Sequence, residues 1–362
     1  MGVEIKVTDK ELPISPAMIE FLDNHISGRA HEALWSDQLS ETLVLADAEK
    51  RAQYAQGVAE KVMQNPLGQQ AIYRAYDLLA AITIGTMSRL KPIHEKYRFI
   101  CVVGCPRHGG SYLTKELFLA VGMDPDKVAN VIAHDGFPNI TPFSLEERYN
   151  SYTAAAQQMA EYLAMVEVYF AKSRRDAEGF TIVPKKATKA AYQGALFSAV
   201  LGPRTEYFVT LRHPVSACIS TYEKSTGLPL DGRFEVRGNI EEWAKRDAMW
   251  TGMTEGEVLR SDYFDLYLRY WENYHYNLAL TGIAATKKVT VVTYGRERLM
   301  NLAADLHRKL GSNAKPGEFK VFDKRSRHPE WSTKATPAIA RVAQVWKSVG
   351  LVFPVDELME GW

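Results

Sequence analysis

Very little in this chain points to a large charged partner. Lysine and arginine together number 44, aspartate and glutamate 43, and the formal net charge is +1. So close a balance supplies no broad basic field for nucleic acid or an anionic membrane surface. Cysteine is scarce too. Cys101, Cys105 and Cys218 are odd in number and lack metal-ligand spacing. They give no disulfide framework and fit a reducing compartment. The nine histidines form no HxH or HExxH pattern, so no metal site is expected. Long apolar runs are missing as well. Residues 78–87 make the longest, about half a membrane span, and read as a buried helix. The start, MGVEIKVTDKEL, has no apolar leader segment, and Thr8 misses the position that N-myristoylation needs. These features describe a cytoplasmic protein without a membrane span. An apolar content of 46% is enough for a substantial core.

What is present is concentrated in residues 99–119, FICVVGCPRHGGSYLTKELFL. Ile100 to Val103 are apolar without alternation, as in a strand covered on both faces. Gly104, Gly109 and Gly110 allow a tight turn, and Ser111 is placed to cap a helix whose Leu113, Leu117 and Val121 share a stripe. Unpartnered N–H groups at such a helix start, together with the helix dipole, hold a phosphate. The loop keeps the glycine spacing and the hydroxyl of the nucleoside-triphosphate pattern GxxxxGK[ST], but Gly110 fills the lysine slot and the cation sits earlier, at Arg107. The Cys-x5-Arg loop of tyrosine phosphatases fits at Cys105 and fails at Ser111. Cys105 lies beside a helix start and Arg107, where thiolate character and oxidation are favoured, but reads first as a passive loop thiol.

A second segment, YFVTLRHPVSACISTY at 207–222, is another apolar strand ending at Arg212. Pro214 suits a first helical turn, and Ser216 and Ser220 follow one turn apart. A guanidinium at a strand tip and a hydroxyl eight residues on can grip one compact dianion.

Together, P-R-x-G-x-S and the later R-x-P with its serine resemble the sulfotransferases that use 3′-phosphoadenylyl sulfate (PAPS). The resemblance runs from about Arg98 to Trp331, with specific matches in the two short motifs. It implies that Pro106, Arg107, His108, Gly109, Gly110, Ser111 and Tyr112 hold the donor's 5′-phosphosulfate, and that Arg212 and Ser220 hold its 3′-phosphate. Arg107 stands where many members have lysine, and residues 325–331, RSRHPEW, stand where the family has a glycine-rich segment. The resemblance also implies a P-loop-like fold, no metal, and direct in-line transfer of a sulfuryl group to a hydroxyl or amine of a small or carbohydrate-like acceptor. Arg107 would serve the leaving-group oxygens. The base would be His134, with Asp135 next, if its pKa were raised, and His108 third. Lys186, or Lys185 beside it, would contact the sulfuryl group. A small-molecule P-loop kinase and a non-catalytic nucleotide-binding scaffold are the other readings of the same residues.

The chain divides near residue 97. Before it, residues 16–27, 35–62 and 67–90 read as helices, an N-terminal extension that packs on the core or against a second subunit. From 98 to 362, candidate strands at 99–104, 128–133, 180–183, 207–212 and 288–294 alternate with helices at 144–173 and 187–201. That order predicts an α/β fold, a parallel sheet flanked by helices, whose ligands bind off the carboxyl ends of the strands. Residues 240–282 are a helical insertion rich in aromatics, either core or pocket wall, and glycine-rich 226–238 reads as a loop over the site.

Overall fold

The computed structural model describes residues 14–29, 48–135, 137–138, 151–226, 239–283, 286, 288–321 and 328–360. Four strands, β1 (Tyr97–Val103), β2 (Thr181–Lys186), β3 (Glu206–Leu211) and β4 (Val289–Thr293), form one parallel sheet in the order β2-β1-β3-β4. The chain places β2 on one side of β1 and β3 on the other. The connection leaving the carboxyl end of β1 therefore runs to one side, toward β2, and that leaving the adjacent β3 runs to the other, toward β4, which makes the crevice between those two strand ends the usual ligand position in such sheets.

The unbroken apolar run of β1 follows from its two neighbours in depth. Phe99, Cys101 and Val103 pack into the larger core, while Ile100 and Val102 pack into the smaller one on the other face. Every residue of β1 is buried. The larger core reaches from Met18 to Leu358, and the N-terminal helix Pro66–Ile84 lies along Ser151–Tyr169, so the N-terminal helices share the core of the sheet domain. The smaller core is closed by the helices Gly110–Ala120 and Arg296–Lys309.

The sequence reading departs from this structure in four places. Residues 128–133 are not a strand: after Ala129 the chain makes one helical turn, Asn130–Ala133, which buries Ile132 and Ala133 in the larger core. A six-residue apolar run carries no period that separates the two forms. β2 continues past 183 through Pro184 to Lys186, so the lysines belong to the strand end. Proline is tolerated because β2 pairs with β1 alone among the described residues. Residues 187–201 split into a short 3-10 turn, Thr188–Tyr192, and the helix Gly194–Leu201. Ser111 is not the helix cap: Gly109 holds that position at φ 89°. The predicted stretches 35–47, 144–150 and 227–238, and residues 322–327, lie outside the described residues.

Candidate functional site

The loop between β1 and the helix Gly110–Ala120 is tied closely to β3. A Cβ at Gly104 would lie 2.0 Å from Thr210 Oγ1, so only glycine lets the backbone pass. Gly109 and Arg107 both take left-handed backbone, with φ 89° and 68°. For arginine this conformation is uncommon, and in a loop of this kind it turns successive amides toward one point. Gly110, Ser111 and Tyr112 form the first helical turn; the Tyr112 N–H already donates to the Gly109 carbonyl at 3.1 Å, which leaves the Gly110 and Ser111 N–H groups as those without an intrahelical acceptor.

One corner of the crevice gathers the two sequence motifs. Arg107 Nε donates to Ser220 Oγ at 3.1 Å, and Arg212 Nη1 donates to the Arg107 carbonyl at 3.1 Å. The Arg212 guanidinium lies 3.9 Å over the ring of Tyr294, at the end of β4. Burial pulls the Arg212 pKa down from its ordinary value, and its Nε is buried without a hydrogen-bond partner among the described residues. A buried guanidinium N–H left unsatisfied is costly and marks a place for an acceptor. Tyr112, with its hydroxyl pushed up to about 12 by burial, donates to the Gly317 carbonyl at 2.8 Å and stacks at a tilt on Phe319, 4.8 Å between centroids. Phe319 also meets Tyr294 edge-on. Buried Glu116, from the same helix as Tyr112, fixes this strand of chain by accepting from the Gly317 N–H, and it pairs with His307 at 3.0 Å. Tyr294, Phe319 and Glu116 were not legible as site residues, because only tertiary packing brings 294 and 319 to the loop.

The second corner lies at the end of β2. His134 Nδ1 donates to Asp135 Oδ1 at 2.7 Å, and Lys186 Nζ lies 3.4 Å from Asp135 Oδ2 and 3.3 Å from His134 Nε2. Lys185 is buried and donates to three carbonyls, those of Val131 (3.1 Å), His134 (2.6 Å) and Phe137 (2.5 Å). Lys189 donates to the Asp135 carbonyl. Two lysines thus hold the backbone that carries His134 and Asp135. Burial pulls Lys185 down to about 7 and Lys189 to about 8, against the opposing pull of Asp135.

These contacts sort the base candidates. Burial lowers the His134 pKa, with Lys186 adding to it and Asp135 opposing. The imidazole is therefore neutral at pH 7, as a base must be. Asp135 was expected to need a raised pKa. Burial does push its carboxyl up, but Lys186 and His134 outweigh that and hold it well below the usual carboxylate range. Asp135 orients His134 instead. His108 is 1% exposed, stacks on His275 at 5.6 Å and donates from Nδ1 to the Thr210 carbonyl, so its ring faces the core and not the crevice. Burial, then His275, pull its pKa well below 6.5. Cys105 is buried, and burial drives its pKa upward, as for a passive thiol and not a reactive one. Pro106 is half-buried at the loop's entry, and Gly136 lies outside the described residues.

Gly110 joins the two corners. A Cβ there would touch Lys186 Cε at 3.9 Å, so the lysine stem passes beside the first turn of the helix Gly110–Ala120. Among the described residues no cluster of His, Cys, Asp or Glu could hold a metal ion, and no helix is long and apolar enough to cross a membrane. Compared with known proteins, the chain matches no family model, no curated protein and no solved structure.

Proposed function

We propose that this chain is a sulfotransferase that moves a sulfuryl group from PAPS to a hydroxyl or amine of a small-molecule or carbohydrate-like acceptor. One observation carries the reading: Arg107 meets Arg212 and Ser220, each more than a hundred residues further along the sequence, in one corner with a buried Arg212 N–H left for an acceptor. Arg212 and Ser220 hold the 3′-phosphate. The amides of Gly109 to Ser111 and the Ser111 hydroxyl hold the 5′-phosphate, the Tyr112 amide being taken by the Gly109 carbonyl, and the faces of Tyr112 and Phe319 offer a surface for the base. In the transfer, the acceptor oxygen forms a bond to sulfur as the bond from sulfur to the phosphate oxygen breaks. The acceptor's proton passes to His134 Nε2, and charge growing on the departing phosphate is met by Arg107. A preorganised donor of that kind lowers the barrier by about 3 kcal/mol. Asp135 stabilises the imidazolium that forms.

The P-loop kinase reading gains one observation, the Lys186 stem beside the glycine that fills the lysine slot. Titration calorimetry separates the readings. Adenosine 3′,5′-bisphosphate binds tightly if this proposal holds, and adenosine 5′-phosphate much more weakly. Arg212→Ala, with Arg212→Lys as a check on folding, weakens the bisphosphate about 30-fold or more and leaves the monophosphate nearly unchanged. Equal losses for both ligands, or magnesium-dependent ATP turnover in place of bisphosphate binding, overturn it.

A further inference from the structure

The amine of Lys186 faces two clients. Its stem runs beside Gly110, at the first turn of the phosphate-loop helix, and its Nζ stands 3.3 Å from His134 Nε2. His134 Nδ1 already donates to Asp135, which fixes the tautomer and leaves Nε2 as the ring's acceptor. An ammonium proton directed at that lone pair occupies the atom that would take a proton from an acceptor. The contact is also electrostatically poor, since an ammonium beside an imidazole opposes its protonation. Lys186 is held there in part by Asp135, 3.4 Å away. An anion at the helix start competes for the same amine, with loop amides and helix dipole already favouring the anion's presence.

We infer that Lys186 is a gate on the base: in the empty site it caps His134 Nε2, and an anion seated on the phosphate loop draws it off and frees that lone pair. No proton moves in this step. Lys186 keeps its three protons and exchanges one hydrogen-bond acceptor, the imidazole nitrogen, for another, an anionic oxygen. The ring is then ready only when the loop is filled. The gate also supplies, from the neighbouring strand, the cation that Gly110 denies the loop. The identity of the anion rests on the sulfotransferase reading, whereas the cap itself does not.

Four charged groups surround the histidine. Asp135 sits on its Nδ1 side, Lys185 and Lys186 reach it from β2, and Lys189 from the following turn holds the Asp135 carbonyl. Lys185 and Lys189 are engaged with backbone carbonyls, which leaves Lys186 as the cation set against the ring's Nε2.

The test is the titration of the His134 ring by NMR in the full chain with isotope-labelled histidine, the signal being identified by its loss in His134→Gln. Without ligand, Lys186→Met should raise the His134 midpoint by about one pH unit, and Lys186→Arg should leave it near the wild-type value. Saturating adenosine 3′,5′-bisphosphate should then raise the midpoint more in the wild type than in Lys186→Met, because only the wild type has a cap to release. An unchanged midpoint in ligand-free Lys186→Met, or an equal ligand-induced rise in both proteins, overturns the gate. If calorimetry shows no bisphosphate binding, the donor reading fails separately. The same comparison with inorganic phosphate then decides the gate on the same two outcomes.

Discussion

The two corners of the crevice are built on opposite plans. At the β1–β3 corner, side chains contact one another and the loop is shaped by glycines: Arg107 reaches Ser220, and Arg212 braces the Arg107 carbonyl. At the β2 corner, the backbone is what is held. Lys185 and Lys189 direct their amines at carbonyls of the segment that carries His134 and Asp135, while Lys186 points at the side chains of those two residues. The first plan suits a rigid anion cradle, because a glycine-shaped loop cannot easily take another path. The second suits a base whose position and pKa are tuned together, since the cations that fix its backbone also oppose its protonation.

The largest test of this division is His134→Gln. If the β2 corner supplies the base and the other corner supplies the binding, turnover of PAPS over an acceptor panel falls by about 10² to 10⁴. The dissociation constant for adenosine 3′,5′-bisphosphate stays within about twofold, since that ligand's phosphates are held at the other corner. The pH profile carries a sign. The folded pKa of His134 lies below its ordinary 6.5. The profile of kcat/KM, which reports the free protein, is therefore level through neutrality and falls only as pH drops below 6.5, when the ring protonates. An acid limb centred above 6.5, or unchanged turnover in the variant, would move the base elsewhere.

Next in size is Lys185→Met, which attacks the backbone plan directly. Three carbonyls lose a buried donor, and the expected loss of stability is about 3 kcal/mol, read by urea unfolding. The pH dependence sharpens it. The folded chain releases the Lys185 proton near 7, against an ordinary 10.5 in the unfolded chain. Between those values the unfolded state binds more protons, so this group makes stability rise with pH from about 7 to about 10.5 and contributes no slope below. The variant should lack that part of the slope. Bisphosphate binding should survive in the variant, and a collapse of binding alongside stability would show that the corners are not separable.

The same contrast explains what could be read from the chain alone. The β1–β3 corner was legible because its function is written in local pattern: an apolar run buried on both faces, glycines where backbone must pass within contact of Thr210, an arginine at a strand tip. The residue types at the β2 corner were legible too, His134, Asp135 and Lys186 among them. Their arrangement was not. Residues 128–133 carried no period, so a helical turn passed for a strand, and Pro184 hid the strand end that presents the lysines. Whether Asp135 titrates high or low depended on Lys186, fifty-one positions away in sequence and 3.4 Å away in space. Tyr294 and Phe319 needed the third dimension altogether.

The smallest expected effect probes the rigidity of the first corner through Cys105. This thiol opens the glycine-bearing loop after β1, beside Pro106 and Arg107, where a helix start and a cation would favour a thiolate. In the fold it points into the larger core, where burial drives its pKa upward. A thiol that is both neutral and enclosed reacts only when the chain opens. Alkylation of native protein by iodoacetamide, followed by mass spectrometry, should therefore label Cys105 no faster than Cys101 and Cys218, which are equally buried. Cys105→Ala should cost about 1 kcal/mol in stability, a small cavity term. Selective labelling of Cys105 in folded protein would mean that the loop swings outward on its own. The cradle would then be no more fixed than the base, and the contrast between the two corners would dissolve from the side that looks most secure.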